Sequence, residues 1–292
     1  MEKIYDVLIL GGGVAGMSAG IYAKRSGKSV LIIEKAALGG QVFSLPKIEN
    51  FPSQKEIDGF SLAQMFAEQV ENLEIDIAYD EVLSVNLLSD VKKVICKRGE
   101  YHANNIIIAT GMKSVDVGVN EAEYFGRGVS YCAVCDANFF KNKPVCVASK
   151  KGSGIAEANV LAQVCKNVTV IDSEDLSVYA SANKNEKIKV ISNAEILSVG
   201  GEKSLEFVEI KSKNKIEKIE CDALFVALGK IPATKQFDGQ ICFDKKGFVV
   251  TDEHMKTSAN GVFAVGDVRN GTLKQIVTAC SDGAIAGTQV EQ

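Results

Sequence analysis

The 292-residue sequence has few of the features that mark membrane, nucleic-acid-binding or metal-rich proteins. It contains two histidines, four prolines and no tryptophan. No apolar run approaches the roughly 20 residues of a membrane-spanning helix, so we expect no membrane partner. The formal charge of −4 predicts that neither nucleic acid nor an anionic membrane is the main partner. No leader of basic and apolar residues precedes the first strand, which predicts a cytoplasmic protein.

Ligands for a structural metal are equally scarce. Cys132 and Cys135 form the single C-x-x-C pair, and the other six cysteines are scattered one by one. A tetrahedral zinc site needs a second Cys or His pair, yet the only imidazoles are those of His102 and His254. An iron–sulfur cluster is disfavoured for the same reason. We therefore predict no metal, with a zinc knuckle and a pair of inert buried thiols as the alternatives to a redox-active pair.

The C-x-x-C pair belongs to the stretch Y-C-A-V-C-D, residues 131–136. In a reducing compartment, closely spaced cysteines are more often catalytic than structural. The carboxylate of Asp136 follows directly, where it suits a general acid or base, or a cap for a helix that begins at Ala137. Because the stretch lies between two dinucleotide-fold patterns, we interpret it as the redox centre of a flavoenzyme.

The first dinucleotide-fold pattern occupies the start of the chain. The short apolar run 6–10 is typical of a buried parallel strand, and G-x-G-x-x-G follows it at residues 11–16. These glycines permit a tight turn and a close backbone approach to a pyrophosphate at a helix N-terminus. A second strand, residues 29–33, leads to Glu34, which is placed to accept a hydrogen bond from a ribose hydroxyl. The pattern therefore predicts a dinucleotide site.

Two later strands indicate FAD at this first site. Residues 106–111 (I-I-I-A-T-G) and 261–267 (G-V-F-A-V-G-D) are apolar strands that end in small or acidic turns. With L-G-G-Q at 38–41, E-N-F-P at 49–52 and C-x-x-C-D at 132–136, the chain resembles the low-molecular-weight thioredoxin reductases from end to end. This resemblance implies an α/β fold of two Rossmann-like domains of the two-dinucleotide-binding flavoprotein type, with the second domain inserted into the first.

The resemblance also implies the cofactor, the partners and the site residues. The cofactor would be FAD, the protein substrate thioredoxin and the assembly a homodimer. Cys135 would face the flavin, Cys132 would attack outward, and Asp136 would carry the proton. The FAD-binding residues would be Gly11, Gly13, Val14, Ala15, Gly16, Glu34, Lys35, Gly40, Gln41, Asn50, Val82, Ala109, Thr110, Gly111, Gly266, Asp267, Lys274, Gln275 and Ile276.

The same pattern divides the chain into two domains. The FAD-binding domain is discontinuous and comprises residues 1–113 and 240–292. The inserted redox domain comprises residues 114–239. The crossings are expected near residues 113–118 and 236–240, where the sequence becomes polar and irregular.

The inserted domain begins like a second dinucleotide fold, with strands at 144–148 and 168–171 and a helix from about Ile155. Its loop departs from the family pattern. Residues 149–154 read S-K-K-G-S-G where the family has successive glycines, and Glu157 stands where a third glycine is expected. Side chains there should obstruct the backbone approach that a pyrophosphate needs, although the two lysines could reach a phosphate themselves.

The second strand of this domain ends in D-S-E-D, residues 172–175. The family has a basic cluster there for the 2′-phosphate of NADPH. Three carboxylates are expected to face that phosphate, and each like-charge pair at about 5 Å would cost on the order of 3 kcal/mol at an effective dielectric near 20, before screening. This cluster disfavours NADPH, although Asp172 alone could accept from the ribose of NADH.

These departures from the family pattern resemble those of the ferredoxin-dependent flavin thioredoxin reductases. We therefore expect ferredoxin as the electron donor. Residues 141–230 hold 14 lysines, no arginine and 12 acidic residues. This basic segment could steer an acidic ferredoxin, or its lysines could form an ordinary solvated face. Three alternatives remain: an NADH- or NADPH-dependent reductase with an atypical loop, an FAD-dependent dithiol oxidase that returns electrons to oxygen, and a flavin-binding scaffold without turnover.

Overall fold

The structure is a computed structural model that describes residues 3–271 and 273–290. The strands are β1 (Ile4–Leu10), β2 (Val30–Glu34), β3 (Asp76–Tyr79), β4 (Val82–Asn86), β5 (Lys92–Cys96), β6 (Glu100–Ile108), β7 (Met112–Ser114), β8 (Val129–Ser130), β9 (Pro144–Ser149), β10 (Asn167–Asp172), β11 (Ile188–Ile191), β12 (Ala194–Gly200), β13 (Phe207–Ser212), β14 (Lys215–Glu220), β15 (Ala223–Ala227), β16 (Lys230–Pro232) and β17 (Val262–Ala264). The helices are α1 (Val14–Arg25), α2 (Gly59–Asn72), α3 (Ala133–Asp136), α4 (Ile155–Leu161), α5 (Ser177–Ala182) and α6 (Ile276–Gln289). In this described part of the chain, no helix has the length and apolar character needed to cross a membrane.

The chain divides into two compact units. The first unit contains the residues up to Lys113 and those from Ile231 onward, and the second contains Ser114–Lys230. The return to the first unit therefore falls at 230/231, earlier than the 239/240 boundary expected from the sequence. Residues 231–239 are held by the first unit: Ala233 N–H donates to the Gly111 carbonyl at 3.0 Å, and the fully buried ring of Phe237 lies in that unit's core.

The first unit is built on one mixed sheet. Its strand order is β3-β2-β1-β6-β5-β4, and β17 also pairs with β6. The strands β1, β2, β3, β6 and β17 run parallel, whereas β4 and β5 are antiparallel to their neighbours. Residues 7–10 of β1 are at most 1% exposed, as expected for a parallel strand covered on both faces. Helices α1 and α6 pack against each other.

The second unit has a parallel sheet of its own. The order is β11-β10-β9-β15-β8, and β12, β13 and β14 form a separate antiparallel sheet. The strand β8 has only two residues and pairs with Leu224 and Phe225 of β15, with Ser130 opposite Phe225. Because α3 begins three residues after β8 and packs on α4, the C-x-x-C segment is anchored to the edge of this sheet.

Each unit contains a strand, a loop, a helix and a parallel neighbouring strand. These elements are β1, α1 and β2 in the first unit and β9, α4 and β10 in the second. The predicted α/β class, with a second Rossmann-like domain inserted into the first, is confirmed.

Candidate active site

The first loop, residues 11–16, joins β1 to α1. Gly11 has a φ of +110°, and a Cβ there would lie 2.5 Å from the carbonyl oxygen of Ala109, so only glycine fits. Gly13 has a φ of −72°, and the nearest heavy atom to a Cβ built on it is the Cα of Gly40, 4.0 Å away. The fold thus leaves open space beside Gly13 at the N-terminus of α1, where backbone donors and the helix dipole favour a phosphate.

Glu34 ends β2 next to this loop. Its Oε2 accepts the Gly12 N–H at 2.7 Å, and its Oε1 accepts the Ala36 N–H at 2.9 Å. The residue is only partly buried, and a carboxylate has about four acceptor positions in total. Glu34 therefore keeps accessible acceptor capacity for a ribose hydroxyl.

Lys35 and Val82 lie near Glu34. Lys35 is exposed directly after β2, and Val82 is the first residue of β4. The Asp80 N–H donates to the carbonyl of Glu34 at 3.0 Å, which holds residues 80–82 beside the end of β2. The structure thus brings these two predicted residues to the edge of the same strand.

The segment that contains Gly40 and Gln41 packs against the first loop. Gly39 forms a β-bridge with Gly13, and its N–H donates to the Gly12 carbonyl at 2.8 Å. The side-chain nitrogen of Gln41 lies 3.8 Å from the position of a Cβ built on Gly111. Two segments that are distant in sequence therefore meet at the loop.

The turns after β6 and β17 reach the same place. Ala109 N–H donates to the Leu10 carbonyl at 2.9 Å, and the Thr110 hydroxyl donates to the Ala233 carbonyl at 2.8 Å. A Cβ built on Gly266 would lie 2.8 Å from the Cβ of Ala15. The predicted residues 109–111 and 266–267 are thus adjacent to the predicted residues at the start of α1.

An ion pair that the sequence analysis missed supports the turn at Gly266. Asp282 on α6 accepts the Gly266 N–H at 3.1 Å and pairs with the Arg269 guanidinium at 2.7 and 3.1 Å. Arg269 also donates to the Thr251 hydroxyl at 3.1 Å. Asp282 is 9% exposed. No short motif in the sequence links residues 269 and 282, so only the packing of α6 reveals the pair.

The predicted residues 274–276 precede and begin α6. The Asn50 side-chain amide donates to the Gln275 side-chain oxygen at 2.9 Å, which joins two segments predicted separately. Lys274 donates to the carbonyl of Arg269 and lies 4.5 Å from the centre of the Phe248 ring. Burial lowers the pKa of Lys274 from its usual value, although nearby Asp267 opposes this effect. Ile276 packs against the core.

The first unit therefore fits an FAD molecule. Gly11 permits the turn and Gly13 leaves open space for a phosphate at the N-terminus of α1, and the partly exposed Glu34 stands where a ribose would bind. Residues 40–41, 109–111 and 266–267 surround the same loop. The structure brings the predicted residues together within one unit. Lys35 and Val82 lie at the periphery of the predicted FAD site, beyond Glu34.

The redox pair lies in the second unit. Cys132 and Cys135 form a disulfide with a Cα–Cα distance of 5.4 Å. Cys132 is the N-cap of α3, and its sulfur accepts the Cys135 N–H at 3.2 Å. Cys135 is exposed and Cys132 partly buried. The first turn of α3 thus directs a backbone donor at the sulfur of Cys132.

Asp136 follows the disulfide and is bonded to Ser130. The Ser130 hydroxyl donates to Oδ2 of Asp136 at 2.6 Å and accepts the Cys132 N–H at 3.0 Å. Asp136 precedes a 3-10 turn at Ala137–Phe140, but its side chain makes no capping hydrogen bond to that turn. The capping alternative is thus not what the structure shows. Ser130 was missed from the sequence, where the spacing S-x-C was its only signal.

The second loop, residues 149–154, is closed by the chain's own side chains. Asp172 accepts the Ser149 hydroxyl at 2.6 Å, the Gly152 N–H at 2.9 Å and the Lys151 N–H at 3.1 Å. Ser149 in turn accepts the Gly154 N–H at 3.0 Å. Backbone donors of the loop therefore already bond to Asp172 and Ser149. Like the first loop it adjoins a helix N-terminus, but a phosphate would have to displace these bonds.

This arrangement corrects two expectations about Asp172. Its side chain is 0% exposed, and it also accepts the Glu174 N–H at 2.8 Å. Asp172 consequently faces the loop and cannot accept from a nucleotide ribose, and only Glu174 and Asp175 of the acid cluster are exposed. Burial by itself would raise the pKa of Asp172, but the Ser149 hydroxyl and three backbone N–H groups hold it below its usual value.

These features define a flavoprotein disulfide oxidoreductase: a unit that fits FAD, and a second unit with a C-x-x-C disulfide. The family described as "Pyridine nucleotide-disulphide oxidoreductase" matches residues 5–283. The thioredoxin reductase of Peptoclostridium acidaminophilum is 36% identical over 100% of this chain and 98% of its own. The crystal structure of Lactococcus lactis thioredoxin reductase is 35% identical, with a TM-score of 0.79 over 98% of this chain and 97% of its own.

A more distant similarity is to a ferredoxin-flavin thioredoxin reductase from Clostridium acetobutylicum. That structure is 25% identical, with a TM-score of 0.57 over 99% of this chain and 98% of its own. The chain thus belongs to the thioredoxin reductases of the pyridine nucleotide-disulphide oxidoreductase family. Proteins of this family are FAD-binding flavoproteins, and the predictions of FAD as the cofactor and of a disulfide oxidoreductase are confirmed.

Proposed function

We propose that this thioredoxin reductase receives its electrons from a reduced ferredoxin and passes them through FAD and the Cys132–Cys135 disulfide to thioredoxin. Neither NADPH nor NADH is its donor. The observation that carries this proposal is the second loop, in which buried Asp172 and Ser149 accept the backbone N–H groups that a pyrophosphate would need.

The energetic consequence is a weak or absent nucleotide site. A pyrophosphate could use the loop only by displacing bonds to Asp172, and a buried charged group left without partners costs about 1–3 kcal/mol per lost partner. Losing two such bonds would weaken binding by at least about 30-fold, since 1.4 kcal/mol is about tenfold in affinity. The exposed carboxylates of Glu174 and Asp175 add repulsion against the 2′-phosphate of NADPH.

The ferredoxin donor is supported by the similarity to the ferredoxin-flavin thioredoxin reductase of Clostridium acetobutylicum and by charge. Lys141, Lys150 and Lys151 are exposed in the second unit, while Lys143 pairs with Asp222 at 3.2 Å. Exposed lysines attract an acidic partner and raise its association rate. This attraction supports the donor assignment on the ground of charge.

The chain's own residues then carry out the thiol chemistry. Bound FAD supplies the electron pair that reduces the disulfide. The Cys132 thiolate, stabilised by the Cys135 N–H, attacks one sulfur of the thioredoxin disulfide. The sulfur that leaves is protonated by Asp136, whose carboxylate takes this proton from the Cys135 thiol and so converts it to a thiolate. The Cys135 thiolate attacks Cys132 in the mixed disulfide, which releases dithiol thioredoxin and restores the Cys132–Cys135 bond.

The test is anaerobic flavin absorbance of the purified holoenzyme, with thioredoxin present as the acceptor. Reduced ferredoxin should bleach the flavin and produce dithiol thioredoxin, whereas NADPH and NADH should leave the spectrum unchanged. The Lys150→Ala/Lys151→Ala variant is the matched control, because it should lose part of the ferredoxin rate and its salt dependence without changing the flavin. Prompt bleaching by either nucleotide would show that the loop rearranges and that the donor assignment is wrong.

The same assay separates the dithiol-oxidase alternative. In such an enzyme, small dithiols would bleach the flavin absorbance. On admission of oxygen, one peroxide would form for each dithiol oxidised. Peroxide formation at the rate of thioredoxin turnover would support that function instead.

Two further predictions belong with this proposal. A homodimer should sediment at twice the chain mass of 31.3 kDa in analytical ultracentrifugation. If the protein is cytoplasmic, it should stay in the cells during osmotic shock and appear in the supernatant when the cells are ruptured without detergent.

A further inference from the structure

Ser130 links the two functional ends of the redox segment. It is the last residue of β8 and is 4% exposed. Its hydroxyl oxygen lies 2.6 Å from Oδ2 of Asp136, 3.0 Å from the Cys132 nitrogen and 3.3 Å from the Cys132 carbonyl oxygen. One buried hydroxyl therefore contacts both the residue proposed to move the proton and the backbone of the residue proposed to attack.

The direction of these hydrogen bonds follows from the chemistry of the groups. The Cys132 amide can only donate, so the serine oxygen accepts from it. The single hydroxyl hydrogen goes to the carboxylate, because charge-assisted O–H···O⁻ bonds are the stronger and have lengths of about 2.5–2.7 Å. The carbonyl of Cys132 is the poorer acceptor at 3.3 Å. The result is a chain of two hydrogen bonds, from the Cys132 N–H to the Ser130 hydroxyl and from that hydroxyl to the Asp136 carboxylate.

We infer that Ser130 is a positioning residue for thioredoxin reduction, acting through Asp136. It fixes the carboxylate at the C-terminal end of α3 and ties it to the backbone of Cys132. An alanine at 130 would leave the carboxylate free to rotate toward solvent and the Cys132 N–H without its acceptor. The inference rests on the proposed role of Asp136 in proton transfer.

Neither α4 nor the 3-10 turn 137–140 contains a hydroxyl side chain that could replace Ser130, and the neighbouring Tyr131 hydroxyl donates to Asp116. The helix α4, which packs on α3, contributes one titratable side chain, Glu157, whose Oε2 is buried without a hydrogen-bond partner in the described part of the chain. The 3-10 turn 137–140 contributes Ala137, Asn138 and two phenylalanines. Ser130 is therefore the group that holds Asp136 in place.

The test is a double-mutant cycle on the holoenzyme with Ser130→Ala, Asp136→Asn and the combined variant. A general acid or base contributes about 10²–10⁴-fold, so Asp136→Asn should lower kcat for thioredoxin by about 100-fold. Ser130→Ala should lower kcat by about tenfold and leave KM for thioredoxin unchanged. If Ser130 acts through Asp136, the combined variant should be no slower than Asp136→Asn alone, because coupled effects do not add.

A conservative variant separates positioning from simple structural damage. Ser130→Thr keeps the hydroxyl and should restore kcat to within about threefold of the wild-type value, whereas damage to β8 would persist. Ser173→Ala, at an exposed position of the second unit, is the control and should match wild type. Full additivity in the cycle, or a rise in KM with kcat unchanged, would overturn the inference. A wild-type rate in Asp136→Asn would instead refute the role of Asp136 itself.

Discussion

The two units share a strand–loop–helix arrangement but differ in how the acid at the end of the following strand contacts the loop. In the first unit, Glu34 accepts one N–H of the loop and remains partly exposed. In the second, Asp172 accepts two loop N–H groups and a serine hydroxyl and is completely buried. Each acid ends the strand that follows the loop and helix, β2 in the first unit and β10 in the second. The two acids differ in exposure, because Glu34 keeps a solvent-accessible side whereas Asp172 contacts only its own unit.

This comparison shows how the loop of a dinucleotide fold can have its backbone donors bonded by side chains of the same unit. Ser149 stands at the end of β9, and its hydroxyl bonds both Asp172 and the Gly154 N–H. Buried polar groups must be bonded to be tolerated, so the side chains that occupy the loop also satisfy it. The second loop is thus held by an internal polar network of the chain's own side chains.

The largest expected effect concerns the first loop. A Cβ on Gly13 meets nothing closer than 4.0 Å, so Gly13→Ala should fold normally but occupy the space that a pyrophosphate needs. We expect FAD affinity to fall by about 100-fold or more, since about 2.7 kcal/mol corresponds to that factor. Flavin fluorescence after gel filtration measures the retained cofactor.

The matching change in the second loop is Lys150→Ala. It should retain FAD fully, because this loop holds no dinucleotide in the proposed account. Equal FAD loss in both variants would mean that the two loops are not functionally different.

The next effect concerns the stability of the second unit. Asp172→Ala removes the acceptor of the Ser149 hydroxyl and of several backbone N–H groups, which should lower the free energy of unfolding by about 2–4 kcal/mol. Glu34→Ala should lower the free energy of unfolding of the apoprotein by less, because Glu34 is partly exposed and water can replace its hydrogen bonds. Urea denaturation of both apoproteins compares them, and equal losses would contradict the contrast between a structural acid and a ligand-facing acid.

The pH dependence of that stability gives a further comparison. Because the folded-state pKa of Asp172 is held below its usual value, its contribution to stability is present above an unfolded pKa of about 3.9 and is lost as the pH falls through the folded value. The urea midpoints of wild type and Asp172→Asn should therefore differ at pH 7 and converge below about pH 4. A difference that stays constant down to pH 3 would exclude this titration.

Much of the first unit could be predicted from the sequence, because its residues occur in contiguous motifs. The loop at 11–16, the acid at 34 and the segments at 40–41 and 109–111 each follow a strand end, and parallel strands bring their ends together. For the second loop, the sequence predicted the altered composition but not the hydrogen bonds that close it. The substituted glycines were visible, but the inward orientation of Asp172 depends on burial and on Ser149, which only the folded structure reveals.

The smallest expected effect concerns the ion pair between Asp282 and Arg269, which supports the turn at Gly266 and belongs to no sequence motif. Asp282→Asn keeps the shape but weakens the ion pair with Arg269 and the bond to the Gly266 N–H. We expect FAD affinity to fall by about tenfold, equivalent to about 1.4 kcal/mol, with the apoprotein still folded. Unchanged FAD affinity would show that the turn at Gly266 holds its position without the ion pair.

Equilibrium binding of NADPH and NADH to the holoenzyme tests the central claim most directly. Isothermal titration calorimetry should show no binding of either nucleotide up to about 1 mM, a Kd equivalent to about −4 kcal/mol, because Asp172 and Ser149 occupy the donors of the second loop. Saturable binding of one nucleotide per chain in the micromolar range would contradict the account and make the second loop a working nucleotide site.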